Sequence, residues 1–210
     1  MGILRVISVA SLKGGSGKST SAIHFAGVLG RLGHNVVLAD EDRLKSATNM
    51  ALLGNLPFPV TTLTGAARLA REMELDFIVV DSRGGMDDEK LYELAETSDL
   101  LILPSNPEVM SLDGMQQTVE LLDARGLKDK ATALLTMTRP GKRLLAARRT
   151  LDALEIPVME ASIRYSDAFK DASLTGSLVR DVRTNVLAKS CWMDYGRAVD
   201  EMLAILGMVR

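Results

Sequence analysis

The sequence is poor in cysteine and in net charge and has no long apolar run, and each of these absences excludes a class of protein. Its 210 residues contain one cysteine, Cys191, so a single chain cannot build an intramolecular disulfide, a four-ligand zinc site or a cysteine-ligated iron–sulfur cluster. The formal charge of −2 gives no general attraction to nucleic acid or anionic lipid, so such binding would need a local patch. No apolar run reaches the ~20 residues of a membrane span, and the apolar start at 3–10 is too short for a signal peptide. We therefore expect a cytoplasmic protein without stable membrane insertion.

What the sequence does contain is an alternation of short apolar runs with longer amphipathic stretches. This alternation is typical of a mostly parallel sheet with helices on both faces. The run from Phe77 to Val80 is apolar throughout, as in strands that are covered on both sides. We predict one α/β domain over 1–210, with strands at 3–10, 35–40, 76–81, 100–104, 131–137 and 156–160, and helices at 18–32, 86–97, 111–125, 140–154 and 186–206.

A glycine-rich loop follows the first predicted strand, and residues 11–20 read Ser-Leu-Lys-Gly-Gly-Ser-Gly-Lys-Ser-Thr. Glycines let backbone N–H groups curl around phosphate oxygens, and the start of the following helix adds partial positive charge. Lys18 would neutralise the terminal phosphates, and the Ser19 hydroxyl can ligate Mg²⁺. The predicted nucleotide-binding residues are Lys13, Gly14, Gly15, Ser16, Gly17, Lys18, Ser19 and Thr20.

The loop departs from the general pattern G-x-x-x-x-G-K-[ST], because Leu12 stands at the first glycine position and Lys13 is an additional lysine. A lysine at the outer turn could reach a phosphate that a partner molecule presents. With this pair of lysines the sequence resembles the deviant Walker A ATPases, which include ParA-type partition ATPases, MinD-type septum-site ATPases and the nitrogenase iron protein. The resemblance implies a P-loop NTPase fold, ATP and Mg²⁺ as cofactors, and an ATP-dependent homodimer. It also implies catalytic roles for Lys13, which contacts the nucleotide of the other subunit, and for Lys18.

Two acidic motifs strengthen the resemblance. The second strand ends in Ala39-Asp40-Glu41-Asp42, which is similar to the family's Asp-x-Asp switch. There Asp40 would support Mg²⁺ and Asp42 would catalyse by positioning the attacking water. The third predicted strand ends in Asp81, which would hold a Mg²⁺-bound water, and Gly84 and Gly85 suit a mobile second switch.

The switches also contain departures from the family. Arg43-Leu44 stands where Pro-Gln is usual, which bears on the switch geometry and the hydrolysis rate. Arg83 is either a charged lid near the phosphates or an ordinary exposed arginine.

The nitrogenase iron protein and the GTPases can be set aside. The nitrogenase iron protein needs cluster-ligating cysteines, and a GTPase would carry Asn-Lys-x-Asp where this chain has 136–139 as Thr-Met-Thr-Arg. MinD-like proteins add a basic amphipathic helix for membrane docking. Here the last helical stretch carries Val199, Met202, Leu203, Leu206 and Val209 at helical spacing, which predicts core packing.

The partition ATPases that the chain resembles bind nonspecific DNA through basic surface, so a basic run here is either such a contact or a solvated helix face. Segment 139–149 contains five basic residues and no acid, and Lys142, Arg143 and Arg149 fall on one helical face. Four further basic residues lie in the region where family members often place DNA contacts, namely Arg164, Lys170, Arg180 and Arg183.

The resemblance therefore predicts a short ParA-type partition ATPase without an N-terminal DNA-binding domain. It would bind DNA nonspecifically and associate with the nucleoid in its ATP-bound form. A centromere-binding, ParB-type partner would stimulate hydrolysis to segregate a plasmid or chromosome. A MinD-like or carboxysome-type positioning ATPase is the alternative, and a metabolic P-loop enzyme such as an amidoligase is the third.

Overall fold

The computed structural model describes residues 3–12 and 14–208, so Lys13 and Val209 lie outside the described residues. The strands are β1 Arg5–Val9, β2 Val36–Asp40, β3 Val60–Thr61, β4 Phe77–Asp81, β5 Leu100–Ser105, β6 Ala131–Thr138 and β7 Val158–Arg164. The helices are α1 Lys18–Arg31, α2 Ser46–Ala51, α3 Leu63–Glu72, α4 Asp88–Thr97, α5 Val109–Ala124, α6 Lys142–Ala153, α7 Ala168–Thr175 and α8 Ala188–Ile205, with 3₁₀ turns at Lys128–Lys130 and Val179–Asp181.

All seven strands pair in parallel, in the order β3-β2-β4-β1-β5-β6-β7. The predicted α/β class with a P-loop-type parallel sheet is confirmed. Parallel strands end at the same edge, so the loop after β1 and the acids after β2 and β4 meet there. Asp40 and Asp81 are register partners on neighbouring strands.

Alternating side chains divide the core into two layers. Phe77 and Val79 join a cluster with Phe25 of α1 and Tyr195 of α8 on one face. Ile78 and Val80 join a separate cluster on the other face, against α3. Helices α4, α5 and α6 cover the second face over β5 and β6. Both faces are covered, as the continuous apolar runs predicted.

The final helix α8 packs on the sheet as predicted. Val199 and Met202 are fully buried in the core. The Glu201 carboxylate accepts hydrogen bonds from the backbone N–H groups of Glu160 and Ala161, both at 2.7 Å. These donors lie in β7 where its register with β6 is irregular, so α8 satisfies main-chain N–H groups that the strand pairing leaves free there. Within the described ranges, no helix combines the length and apolarity required to cross a membrane.

Some predicted boundaries were wrong. The last predicted strand, at 156–160, begins later and runs to Arg164. Pro140 was predicted to begin a helix, but α6 begins at Lys142, after Gly141 at φ 137°. A φ of this kind suits glycine and is not helical, so the helix starts after it. The sequence analysis also missed β3, α2, α3 and α7.

Candidate nucleotide site

The glycine-rich loop connects β1 to α1 in a conformation that needs glycine. Gly15 and Gly17 have φ angles of 78° and 89°, in the left-handed region that side chains disfavour. The loop is fixed from β6, two strands away from β1, because the Thr136 hydroxyl donates to the Ser16 carbonyl at 2.9 Å. Its backbone is therefore held before any ligand arrives. The predicted contact of Lys13 with a partner's nucleotide falls on a residue outside the described part of the chain.

An open groove of about 660 Å³ lies over the loop. It brings together most of the predicted binding residues with both switches, since its lining includes Gly14, Gly15, Gly17, Lys18, Ser19, Thr20, Asp42, Arg43, Leu44, Gly84 and Gly85. Ser16 lies elsewhere, lining a small cavity beneath the loop. Its hydroxyl is buried and has no hydrogen-bond partner among the described residues.

Lys18 lies against the second switch. Its side chain is largely buried, at 8% exposure. A Cβ placed on Gly84 would lie 3.3 Å from the Lys18 ammonium nitrogen. The missing side chain at Gly84 therefore lets the second switch approach the ammonium.

Asp40 is buried at the end of β2, and its carboxylate is held by the first switch. One oxygen accepts from the N–H and the hydroxyl of Thr48, at 2.8 and 2.6 Å. The other accepts from the Asp42 N–H at 3.1 Å. These donors keep the buried carboxylate oriented and stabilise its charge.

Asp81 contrasts with Asp40, because neither of its oxygens has a hydrogen-bond partner among the described residues. Burial raises its pKa from 3.8 to about 7; Asp40 and Asp42 add to the rise, while the nearby Ser19 hydroxyl and Lys18 ammonium oppose it. An isolated buried carboxylate is costly, and a cation would relieve that cost.

The residues around Asp81 fit Mg²⁺. No group of three or more His, Cys, Asp or Glu side chains with metal-ligand placement occurs within 3–12 and 14–208. Mg²⁺ commonly takes only one or two protein oxygens and completes its shell with water and substrate phosphates. Asp81, the Ser19 hydroxyl and the supporting Asp40 match that mode.

The first switch carries Asp42 into the groove. Its Oδ1 accepts from the Gly84 N–H at a long 3.4 Å, which joins the two switches. Arg43 and Leu44 are exposed on the groove lining, Leu44 at 77%. Arg83 is exposed and is not part of the described groove lining, which favours the exposed-arginine interpretation.

Three residues at the site were missed by the sequence analysis. Thr48 holds Asp40, Thr136 holds the loop, and Met137 lines the groove with a positive φ of 51°. Residues 136–139 had been used only to exclude a GTPase motif. A threonine gives no signal of such contacts, because the fold decides which partner it meets: Asp40 for Thr48 and the Ser16 carbonyl for Thr136.

The predicted DNA-binding residues differ in their surroundings. Lys142, Arg143 and Arg149 are exposed on α6, and Ala147 and Leu151 on its other side are buried. The predicted basic face and core face of this helix are confirmed. The second set is mostly engaged: Arg164 pairs with buried Asp194 at 2.6 Å, Lys170 with Asp167 at 2.8 Å and Arg180 with Asp181 at 3.5 Å, while Arg183 is exposed.

Behind the loop, α1 is tied to the C-terminal part of the chain through buried His24. Its Nε2 accepts from the Val179 N–H at 3.0 Å, so Nδ1 carries the proton and donates to the Thr20 carbonyl at 2.7 Å. The ring stacks on Tyr195 at 4.9 Å. Burial lowers the His24 pKa from 6.5 to about 4, against the opposing bond to Thr20.

His24 should make the fold less stable in acid. In the unfolded chain His24 takes up a proton near pH 6.5, whereas in the folded chain it stays neutral until about pH 4. Its contribution to the free energy of unfolding is therefore complete above pH 6.5 and falls as the pH drops below that value. We expect the advantage of wild type over His24→Gln, measured by urea unfolding, to shrink by about 2 kcal/mol from pH 7 to pH 5. Comparing two proteins at each pH cancels the opposite contribution of Asp81. If the difference in free energy of unfolding between wild type and His24→Gln stays constant with pH, buried neutral His24 is not the cause of the acid sensitivity. His34→Gln is the control for removing an imidazole at another position.

Comparisons with known proteins agree with this geometry. The model of the CobQ/CobB/MinD/ParA nucleotide binding domain matches residues 7–179. The maintenance of carboxysome distribution protein A of Gloeobacter kilaueensis is 31% identical over 208 residues, covering 94% of each chain. Protein ParA of Rhizobium radiobacter is 26% identical over 148 residues, covering 66% of this chain and 67% of the relative.

A solved structure shares the fold. The septum site-determining protein MinD of Pyrococcus horikoshii, complexed with Mg-ADP, has a TM-score of 0.69 at 19% identity, covering 97% of this chain and 99% of that chain. The family match spans the loop, both acidic motifs and most of the sheet. The chain belongs to the CobQ/CobB/MinD/ParA nucleotide-binding domain family and is a P-loop ATPase of the ParA/MinD type.

Proposed function

We propose that this ATPase binds Mg-ATP, dimerises, and uses nonspecific DNA as the surface on which it moves or positions a cargo. The observation that carries the catalytic part is the unpartnered, buried Asp81 carboxylate beside Ser19 and the Lys18 ammonium. This is a site for a cation and phosphates together. The relatives support the choice of cofactor, because a MinD of the same fold holds Mg-ADP.

Each residue in the groove has a separate task in this proposal. The loop backbone from Gly14 to Gly17 binds phosphate oxygens, and Lys18 neutralises the charge that grows on them during transfer. Ser19 and Asp81 would hold Mg²⁺, with Asp40 supporting the metal-bound water. Bound Mg²⁺ supplies charge neutralisation on the phosphates. Asp42 positions the attacking water from the first switch.

An ATP-dependent dimer completes the proposal. Lys13 would contact the nucleotide of the partner subunit. The carboxyl edge of the sheet carries apolar side chains suited to association, with Val109 and Met110 at the start of α5 each 75% exposed and Leu44 77% exposed. Exposed large apolar groups around one site favour a protein contact there.

DNA binding is assigned to the basic face of α6. Lys142, Arg143 and Arg149 have no ion pair in the part of the chain that the structure describes, so their charge is available. Arg164 is the weakest of the predicted contacts, because its guanidinium already neutralises Asp194 at 2.6 Å. We keep Lys170, Arg180 and Arg183 as secondary candidates. DNA contact of this kind needs no base recognition.

The test is retention on duplex DNA with ATP, with ADP and without nucleotide. We expect ATP to give clearly stronger binding than the other two conditions. Affinity should fall with salt by about 0.9 log units per log unit of salt for each phosphate contacted. Equal binding in all three conditions would remove the nucleotide-gated part of the proposal.

A triple charge reversal locates the contact. Replacing Lys142, Arg143 and Arg149 with glutamate should reduce ATP-dependent DNA binding. It should also flatten the dependence of log affinity on log salt by up to about 2.7 units, which is about 0.9 for each of three phosphate contacts. ATP binding should be unchanged, because α6 lies outside the loop. The control reverses three exposed basic residues on α3 and α4, Arg68, Arg71 and Lys90. An unchanged slope in the α6 variant would move the contact to the secondary candidates.

The cargo distinguishes two versions of this function. In a ParA-type partition ATPase, a centromere-binding, ParB-type protein would stimulate ATP hydrolysis. The 31% identical relative maintains carboxysome distribution, which favours a positioning ATPase with a protein assembly as cargo. Stimulation of ATP hydrolysis by a DNA-bound adaptor supports the first version, and stimulation by an adaptor bound to a protein assembly supports the second.

A further inference from the structure

Lys45 ends the turn between β2 and α2 in a conformation that lysine rarely adopts. Its φ of 51° and ψ of 41° lie in the left-handed region, where the Cβ of an L-residue is crowded. It also precedes α2 at a position that favours Ser, Thr, Asp or Asn, and its side chain makes no capping hydrogen bond. Two local preferences are broken at one residue. Backbone strain of this kind collects at functional sites.

The Lys45 side chain turns back to the end of β2. Its Nζ donates to the main-chain carbonyl of Asp40 at 2.7 Å. The short strand β3 pairs with β2 as far as Ala39, so it does not reach this carbonyl. The Lys45 N–H also donates to the Asp42 carbonyl at 3.2 Å. Lys45 therefore closes residues 40–45 into a compact turn through both its backbone and its ammonium.

This turn carries Asp42 into the groove. The Asp42 N–H is tied to the Asp40 carboxylate at 3.1 Å, and its own carboxylate meets the Gly84 N–H at 3.4 Å. The long second contact cannot hold Asp42 firmly. Its position therefore depends on the turn, and the turn is closed by Lys45.

We propose that Lys45 is a positioning residue for ATP hydrolysis, and that its bond to the Asp40 carbonyl keeps Asp42 aimed at the attacking water. The inference rests on the proposed function, because the task of Asp42 belongs to it. Lys45 is not part of the described groove lining. Its loss therefore lowers turnover and leaves nucleotide affinity unchanged.

Three substitutions separate the ammonium from the backbone strain. Lys45→Met keeps a long side chain and the strained backbone but has no donor. Lys45→Gly removes the donor and relieves the strain, because glycine accepts positive φ. Lys45→Arg keeps a cationic donor and serves as the rescue variant. Lys90→Met, at an exposed position on α4, is the matched control.

Two measurements are made on the full chain. Hydrogen–deuterium exchange of 41–48 without nucleotide reports on the turn itself, and steady-state kinetics report kcat and KM for ATP. We expect Lys45→Met and Lys45→Gly to exchange about tenfold faster and to lose about tenfold in kcat, with KM within twofold, from the loss of one charge-assisted hydrogen bond. Lys45→Arg should keep most of both properties, and Lys90→Met should match wild type.

Other outcomes overturn the inference. Unchanged exchange in Lys45→Met would show that the ammonium does not hold the turn. Faster exchange with unchanged kcat would show that turnover does not need the turn. Opposite effects of methionine and glycine would assign the result to backbone strain. If wild type binds ATP but does not hydrolyse it, the proposed function fails, and the exchange measurement alone still shows whether Lys45 closes the turn.

Discussion

Lys18→Ala should lose nucleotide binding, by at least about a hundredfold in affinity measured by calorimetry. The ammonium is held largely buried at the start of α1, where it faces the groove beside Gly84. Charge-assisted hydrogen bonds to phosphate contribute roughly 1.5–3 kcal/mol each, and two such bonds exceed the energy of a hundredfold change. The backbone N–H groups that remain form a weaker anion site.

Controls must separate this loss from misfolding. Lys90→Ala, on the exposed side of α4, should bind ATP as wild type does. A thermal melt of Lys18→Ala reports whether the loop still folds, since Thr136 holds the Ser16 carbonyl independently of the lysine. A folded Lys18→Ala protein with wild-type ATP affinity would reject the phosphate-loop assignment.

Asp42→Ala should slow ATP hydrolysis by about a hundredfold, in the range typical of a lost water-positioning or proton-accepting group. ATP affinity should remain within a few fold, because Lys18, Ser19 and Asp81, the residues proposed to hold nucleotide and metal, are unchanged. The ATP-bound dimer should then accumulate, which sedimentation velocity with and without ATP measures directly. Asp42 lines the groove beside these residues.

Glu41→Ala is the matched control for Asp42→Ala. The two acids are adjacent, but the Glu41 carboxylate accepts from the Leu63 N–H at 2.7 Å, towards α3. The Glu41→Ala variant should therefore hydrolyse ATP at the wild-type rate. Wild-type turnover in Asp42→Ala would mean that another residue orients the water. The experiment tests this directly in a chain whose switch departs from the usual Pro-Gln, with Arg43 and Leu44 after Asp42.

The sheet was predictable because its strands are continuous apolar runs and its long helices have regular apolar spacing. The predicted strand 76–81 differs from β4, Phe77–Asp81, by a single residue. The missed elements have weak local signals. Helix α2 has six residues, and β3 has two. Helix α2 is fixed from outside, by Asp40 at its first turn and by Gly176, which packs against Leu53 just beyond its end.

The groove was predictable to the extent that its chemistry is contiguous in the chain. Lys18, Ser19 and the loop glycines form one motif, and Asp40, Asp42 and Asp81 end predicted strands. The supporting residues were not predictable, because Thr48 and Thr136 act through contacts that only the folded chain creates. The positive φ angles of Lys45 and Met137 were not predictable either, because lysine and methionine, unlike glycine, have no preference for that region.

The register between β2 and β4 fixes the spacing of two acids but leaves the residues that follow each strand free to vary. Asp40 and Asp81 are paired across neighbouring strands, so main-chain hydrogen bonds of the sheet set the spacing of the two acids. The segments that follow them hold Arg43, Leu44 and Arg83 on the surface. Loops vary and exchange more easily than the strands that support them. The spacing of the two proposed metal-site acids is thus built into the sheet, and the exposed loops that follow them can change without altering it.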